Sequence, residues 1–229
     1  MRDATDSEAL YTLAGGLKPM SSGFWRGGFA VEDPDLDEIE AVRDALGVLR
    51  TDEWYADVQV FADAFEGERY ASAFVVHRDA LGRMIDAYRD FWRPYGITPG
   101  THPAEVVAVV DRMERADRWR GYGYLFGYPS EAVDFFVEAG LAADDGREVG
   151  PGKDRRFVQI PTFLSETGRF TYAVALDAPE TDADRTLAAE TARILEAYAD
   201  RRGRMTDLRS LVRELKRLER RFASEPTGR

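Results

Sequence analysis

One of the three lysines of this chain lies in a glycine-rich stretch and has two serines close behind it. Residues 15–23 read GGLKPMSSG and contain Lys18, Ser21 and Ser22. Backbone amides, a lysine ammonium and serine hydroxyls are groups that bind a phosphate or a carboxylate. The stretch lacks the G-x-x-x-x-G-K-[ST] spacing of a P-loop. Two interpretations stay open, a ligand loop or a Gly-Pro turn that positions the following aromatic residues in the core.

A second candidate segment alternates tyrosine with glycine. Residues 121–129 read GYGYLFGYP and contain Tyr122, Tyr124 and Tyr128. Such tyrosines offer flat apolar faces and hydroxyl tips to a ring-bearing or sugar-like ligand. The alternative is a tight junction, in which the glycines let two helices approach and the tyrosines pack in the core.

The second segment continues into a short run with a family resemblance. Residues 127–136, GYPSEAVDFF, resemble a segment of uncharacterised archaeal proteins in which Gly-Tyr-Pro is followed by paired cysteines, an apolar residue and Phe. Glu131 and Ala132 occupy the positions of that pair here. The resemblance implies an archaeal origin, but no thiol or metal chemistry at these positions.

The other titratable side chains form no catalytic or metal pattern. The chain has no cysteine, which excludes thiolate nucleophiles and zinc–cysteine sites. A general-base role for His77 or His102 would need a cleft and a partner carboxylate that the sequence does not place, and we expect a structural or solvent-exposed role for each. The acids of residues 33–37 lack the glycine and terminal glutamate of a calcium loop. The sequence therefore predicts no cofactor and no metal.

Charge is strongly biased towards acid. Asp and Glu number 42 against 31 Lys and Arg, a formal net charge of -11, and 28 of those 31 basic residues are arginine. Because a negative surface repels phosphate backbones, nucleic acid is disfavoured as a partner. The composition predicts a salt-adapted protein of haloarchaeal type, with a merely GC-rich genome as the alternative.

The same composition bears on localisation. No run approaches the roughly 20 apolar residues needed to span a bilayer. The N-terminal residues lack the basic-then-apolar order of a secretion signal. We therefore expect a cytoplasmic protein without a membrane partner.

Hydrophobic periodicity predicts hairpins separated by helices. Strand-like runs pair residues 54–60 with 70–77, and residues 155–161 with 169–176. Periods of three to four residues predict six to seven helices, one ending near residues 119–121 and another stopped by Gly140. The predicted fold class is α+β, with the two hairpins forming one antiparallel sheet covered by the helices.

The C-terminal region is predicted to be a helical pair. We divide the chain into a core domain, residues 1–180, and a pair of helices, residues 181–229, which packs on the core or dimerises. Thr181 and Asp184 have capping-box spacing at the start of the first helix. The second helix carries an apolar stripe close to a seven-residue repeat, which predicts pairing within the chain or in a homodimer: Leu208, Leu211, Val212, Leu215, Leu218 and Phe222.

Two functional hypotheses follow. The first is an accessory or small-molecule-binding protein whose anionic or ring-bearing ligand contacts Lys18, Ser21, Ser22, Tyr122, Tyr124 and Tyr128. The second is an enzyme acting on an anionic small molecule. In it, Lys18 and an arginine such as Arg155 or Arg156 stabilise charge, and a tyrosine or His77 acts as acid or base.

Overall fold

The computed structural model describes residues 1–144, 146, 149–165 and 170–223. Within these ranges the fold is α+β and 51% helical, which confirms the predicted class. The described residues form ten α-helices, seven of them ten residues or longer, where six to seven helices were predicted. The elements are α1 (Arg2–Thr5), α2 (Leu10–Leu13), β1 (Met20–Ala30), α3 (Asp37–Leu46), β2 (Trp54–Phe65), β3 (Glu68–His77), α4 (Arg78–Ala87), α5 (Arg89–Trp92), α6 (Pro103–Arg112), α7 (Arg115–Leu125), α8 (Ser130–Asp144), β4 (Arg155–Ile160), β5 (Phe170–Ala175), α9 (Asp182–Arg202) and α10 (Leu208–Ala223).

The larger sheet has three antiparallel strands in the order β1-β3-β2. The predicted hairpin of β2 and β3 is confirmed, and its turn places Glu66 and Gly67 at φ 51° and 80°. A two-residue turn with positive φ at both positions matches the twist of the flanking strands. β1 was not predicted, because its glycines are poor strand formers. Pairing with the free edge of β3 overrides that propensity.

Both outer strands of this sheet bulge beside the middle of β3. In β1 the pairing shifts between Ser22 and Arg26, and in β2 it shifts between Val60 and Ala64. Each bulge lifts backbone groups out of the ladder, and those groups need other partners. The bulges bend the outer strands next to the same stretch of β3.

Two buried side chains bind backbone groups released by the bulges. Ser72 Oγ accepts a hydrogen bond from the Gly23 amide at 3.1 Å. Asp111 Oδ2, on α6, accepts one from the Ala62 amide at 2.6 Å. The bulges are therefore held by specific contacts.

The second hairpin, β4 and β5, is also confirmed, but it forms its own two-stranded sheet. The predicted single sheet is wrong. β1 and β2 occupy both edges of β3, and α8 packs against β5. Arg169, predicted to start the last strand, lies outside the described residues, as do residues 224–229 of the predicted helical pair.

Two helix ends predicted from glycine are wrong. α7 continues through Gly121 and Gly123 to Leu125, and α8 continues through Gly140 to Asp144. A Cβ at Gly123 would lie 2.7 Å from Val133 Cγ2, and one at Gly140 would lie 2.5 Å from Trp119 Cζ3. These glycines allow close packing of α7 on α8, as the junction interpretation of the tyrosine segment proposed.

The C-terminal helices pack on the same core as the sheet. The capping box of Thr181 and Asp184 is confirmed at the start of α9. Leu211, Leu215 and Leu218 of α10 are buried in the cluster that also holds residues of α2, β2 and β3. These leucines are buried within the chain, so the homodimer and the division at residue 180 stay predictions. In the described ranges, no helix is both long and apolar enough to span a membrane.

Candidate ligand-binding site

The two glycine-containing segments singled out in the sequence meet in the structure. Gly127 has a φ of 70°, and a Cβ there would lie 2.9 Å from the Leu17 carbonyl oxygen and 3.2 Å from Lys18 Cα. A side chain at position 127 would push the segments apart. Residues 15–23 and 121–129 thus contribute to one region of the surface.

Lys18 lies beneath that surface. Its side chain has no exposed area, and its Nζ lies 2.5 Å from Glu8 Oε2. The ammonium also lies 4.5 Å from the ring centroid of Phe170 and 5.5 Å from that of Phe126. Burial lowers the pKa of Lys18, and the charge of Glu8 and its hydrogen bond act against this shift. Lys18 thus binds Glu8 and is closed off from solvent.

Above the Lys18–Glu8 pair is a concave surface of about 500 Å³, which we call the polar groove. A smaller cavity of about 250 Å³ adjoins it and shares four of its residues, including Glu8 and Arg26. The bulges of β1 and β2 form one wall of the groove, and the end of α7 forms the other. Its lining comprises Glu8, Ser22, Gly23, Arg26, Gly27, Phe61, Tyr70, Ala71, Ser72, Phe126 and Tyr128.

Three polar groups of the groove have no hydrogen-bond partner among the described residues. They are Glu8 Oε1, the Arg26 guanidinium and the Tyr128 hydroxyl. Burial, followed by the charge of Glu8, raises the pKa of Tyr128 above its usual range, so the phenol stays protonated and can donate. A negative, a positive and a neutral polar group thus converge on one groove.

A separate, apolar cavity of about 260 Å³ shares Phe126 and Tyr128 with the polar groove. Its other lining side chains are almost all apolar. Tyr122 borders it, and its hydroxyl accepts a hydrogen bond from Gln59 Nε2 at 2.8 Å. Burial raises the pKa of Tyr122 to about 12.

The structure separates the six predicted ligand-binding residues. Ser22 and Tyr128 line the polar groove, and Lys18 lies behind it. Ser21 is fully buried, and its Oγ lies 2.9 Å from Thr12 Oγ1. Tyr122 borders the apolar cavity. Tyr124 is buried, with its ring stacked on Tyr88 at a centroid distance of 3.9 Å.

The residues of the enzyme hypothesis do not converge. Arg155 pairs with Asp154 at 2.8 Å, and Arg156 borders a separate cavity of about 420 Å³ between β4 and α9. His77 is buried, and its Nε2 lies 2.9 Å from Glu219 Oε1.

Both histidines cap helices, which agrees with the structural or solvent-exposed role predicted for each. His77 Nδ1 accepts a hydrogen bond from the Ala80 amide and caps α4. His102 Nδ1 accepts one from the Ala104 amide and caps α6. The Nδ1 atom of each ring is therefore engaged in a hydrogen bond with the backbone.

Sequence reasoning missed Glu8, Arg26, Phe61 and Tyr70, which the groove brings together. One signal was present, because several glycines within a strand-length segment are typical of a bulge or a close approach of backbones. Glu8 carried no signal, since only the tertiary fold places it against Lys18.

Comparison with protein-family models, curated proteins and solved structures found no match. Among the described residues, no three His, Asp or Glu side chains come together in a way that could hold a metal ion. The geometry of the groove is therefore the main guide to function.

Proposed function

We propose that this chain is a small-molecule-binding protein and that the polar groove is its binding site. The observation that carries this proposal is the convergence of Glu8 Oε1, the Arg26 guanidinium and the Tyr128 hydroxyl, which have no described partner, on one concave surface. Ligand sites typically combine apolar and aromatic walls with a few convergent polar groups.

The buried Lys18–Glu8 pair supports the same site. Taking an ammonium out of water is unfavourable, and an ion pair of this kind adds little or nothing to stability compared with apolar side chains. A strongly perturbed titratable group at the base of a cleft is typical of functional sites. Here Lys18 fixes one oxygen of Glu8, and the partly exposed Glu8 side chain lines the groove.

The test is a screen of small ring-bearing metabolites by thermal shift, with hits measured by titration calorimetry. We expect at least one class of hit whose affinity falls about tenfold in Arg26→Gln, since an ionic hydrogen bond contributes roughly 1.5–3 kcal/mol. Arg83→Gln is the matched control, because Arg83 is exposed on α4 and away from the groove. Hits that bind both variants equally would place the binding site elsewhere, and a screen without hits would contradict the proposal.

A further inference from the structure

We infer that the ligand of the polar groove is a zwitterion with a ring, whose cationic group binds Glu8 and whose anionic group binds Arg26. This inference rests on the proposed function and narrows it to a chemical class. It follows from two opposite charges that face the same groove without binding each other.

Glu8 supplies the negative charge. Lys18 occupies Oε2 at 2.5 Å and fixes the carboxylate, while Oε1 has no described partner. The Glu8 side chain is 20% exposed, so it remains accessible from the groove. An ammonium that donates to Oε1 would complete the coordination of this carboxylate.

Arg26 supplies the positive charge. It is exposed at the bulge of β1 and forms no ion pair with any described carboxylate, although it borders the groove together with Glu8. Gly23 lies beside it, and a Cβ there would touch the guanidinium at 3.4 Å. A guanidinium binds a carboxylate through two parallel hydrogen bonds.

A ligand with a single charge fits this groove less well. A cation would leave the Arg26 guanidinium without a carboxylate, and an anion would leave Glu8 Oε1 without a hydrogen-bond donor, each partly desolvated by the ligand. A molecule with both charges satisfies both residues. The rings of Phe126 and Tyr128, 5.9 Å apart between centroids, and of Phe61 and Tyr70 give the groove flat apolar faces for the rest of the ligand.

The experiment removes one charge at a time from the ligand. Calorimetry is run with four zwitterionic probes, L-phenylalanine, L-tyrosine, L-tryptophan and L-histidine, and with two analogues of the first, 3-phenylpropanoate without the amine and phenethylamine without the carboxylate. We expect at least one of the zwitterions to bind, and phenylalanine to bind roughly tenfold more tightly than either analogue.

The protein is then changed to match. The affinity of the Arg26→Gln variant for phenylalanine should fall to that for phenethylamine, and its affinity for phenethylamine should equal that of the wild-type protein. Removing the charge of Glu8 alone would leave the buried Lys18 ammonium without its partner carboxylate. The matching variant is therefore the double change Lys18→Met with Glu8→Gln. In that variant, phenylalanine should fall to the affinity of 3-phenylpropanoate.

The outcomes separate this inference from the proposed function. If either analogue binds wild-type protein as tightly as phenylalanine, or if none of the four zwitterions binds, the inference is wrong. When that happens while screening hits still depend on Arg26, the groove remains a binding site for another class. When no screening hit depends on Arg26, both proposals fail.

Discussion

At the scale of single residues, the Lys18–Glu8 pair is asymmetric. Lys18 has no exposed side-chain area, whereas the Glu8 side chain is 20% exposed. A charge that loses its partner is destabilising in proportion to how completely it is buried. The two members of this pair should therefore differ strongly in what their removal does to stability.

We predict that Glu8→Gln destabilises the protein more than Lys18→Met. The first change leaves the buried ammonium without a carboxylate and should cost about 3 kcal/mol or more, whereas the second leaves a partly solvated carboxylate and should cost under about 2 kcal/mol. Urea unfolding of both variants and the double variant measures the difference. Equal losses would mean that Lys18 is hydrated in solution.

Among the elements, the bulges of β1 and β2 shape the groove. The β1 bulge depends on Ser72, whose Oγ accepts from the Gly23 amide at 3.1 Å and donates to the Trp25 carbonyl at 3.3 Å. Ser22, on β1, also lines the groove and forms no such hydrogen bond with the described residues. Both serines line the groove, but of the two only Ser72 supports the bulge.

We predict that Ser72→Ala destabilises the protein by about 1–3 kcal/mol, because it leaves two backbone groups without their partner. Ser22→Ala should change stability by no more than about 0.5 kcal/mol. Denaturant unfolding compares the two variants. If the Ser72→Ala variant is as stable as wild type, the Gly23 amide and the Trp25 carbonyl must find other hydrogen-bond partners, through water or a backbone shift.

The close packing of α7 on α8 gives another prediction at this scale. Gly123→Ala should destabilise by about 1–3 kcal/mol because the new methyl group would overlap the β-branched side chain of Val133. Gly47→Ala is the control, since a Cβ at Gly47 meets nothing within 4 Å. It should be neutral or slightly stabilising in thermal unfolding. Similar melting temperatures for the two variants would contradict this packing.

For the whole molecule, the two ends of the chain are held together by charged contacts. Asp6 accepts a hydrogen bond from the Tyr198 hydroxyl at 2.6 Å and pairs with Arg202 of α9. At the other end, Glu219 of α10 binds His77 and the amide of Gly15. These contacts hold the C-terminal helices against the core. The adaptation to salt that the acidic composition predicts is a separate matter and stays a prediction.

We predict that the Asp6 contact is lost in acid. Burial raises the pKa of Asp6, but the hydrogen bonds from Arg202 and Tyr198 outweigh it and hold the pKa below the usual value of 3.8. Because the folded-state pKa is depressed, the stabilisation is full above about pH 5 and is lost as the pH falls through the folded-state value.

The measurement compares wild-type protein with Asp6→Asn by urea unfolding at several pH values. The variant should be less stable by about 2–3 kcal/mol at neutral pH, and this difference should shrink as the pH falls through the folded-state pKa of Asp6, which lies below 3.8. Asp86→Asn, which removes an exposed pair with Arg89, should show little difference at any pH. A deficit of Asp6→Asn that persists unchanged in acid would rule out the charge as its cause.

Local patterns in the sequence determined much of this protein. Alternating apolar residues predicted both hairpins, the capping box of Thr181 and Asp184 marked the start of α9, and periodicity gave the longer helices, because these signals act between residues close in the chain. Local signals failed at Gly123 and Gly140, where glycine permits contact between α7 and α8 and does not end a helix.

Only the tertiary structure decided the site. The sequence singled out Lys18 and the tyrosine segment, but it placed Lys18 at the ligand, whereas the fold buries it against Glu8 and leaves Glu8, Arg26 and Tyr128 on the groove. The pairing of β1 with β3 and the two bulges that bring these side chains together are contacts between segments distant in the chain. Such contacts depend on which sheet edge is open and how the core packs, and the spacing of residues along the chain does not encode them.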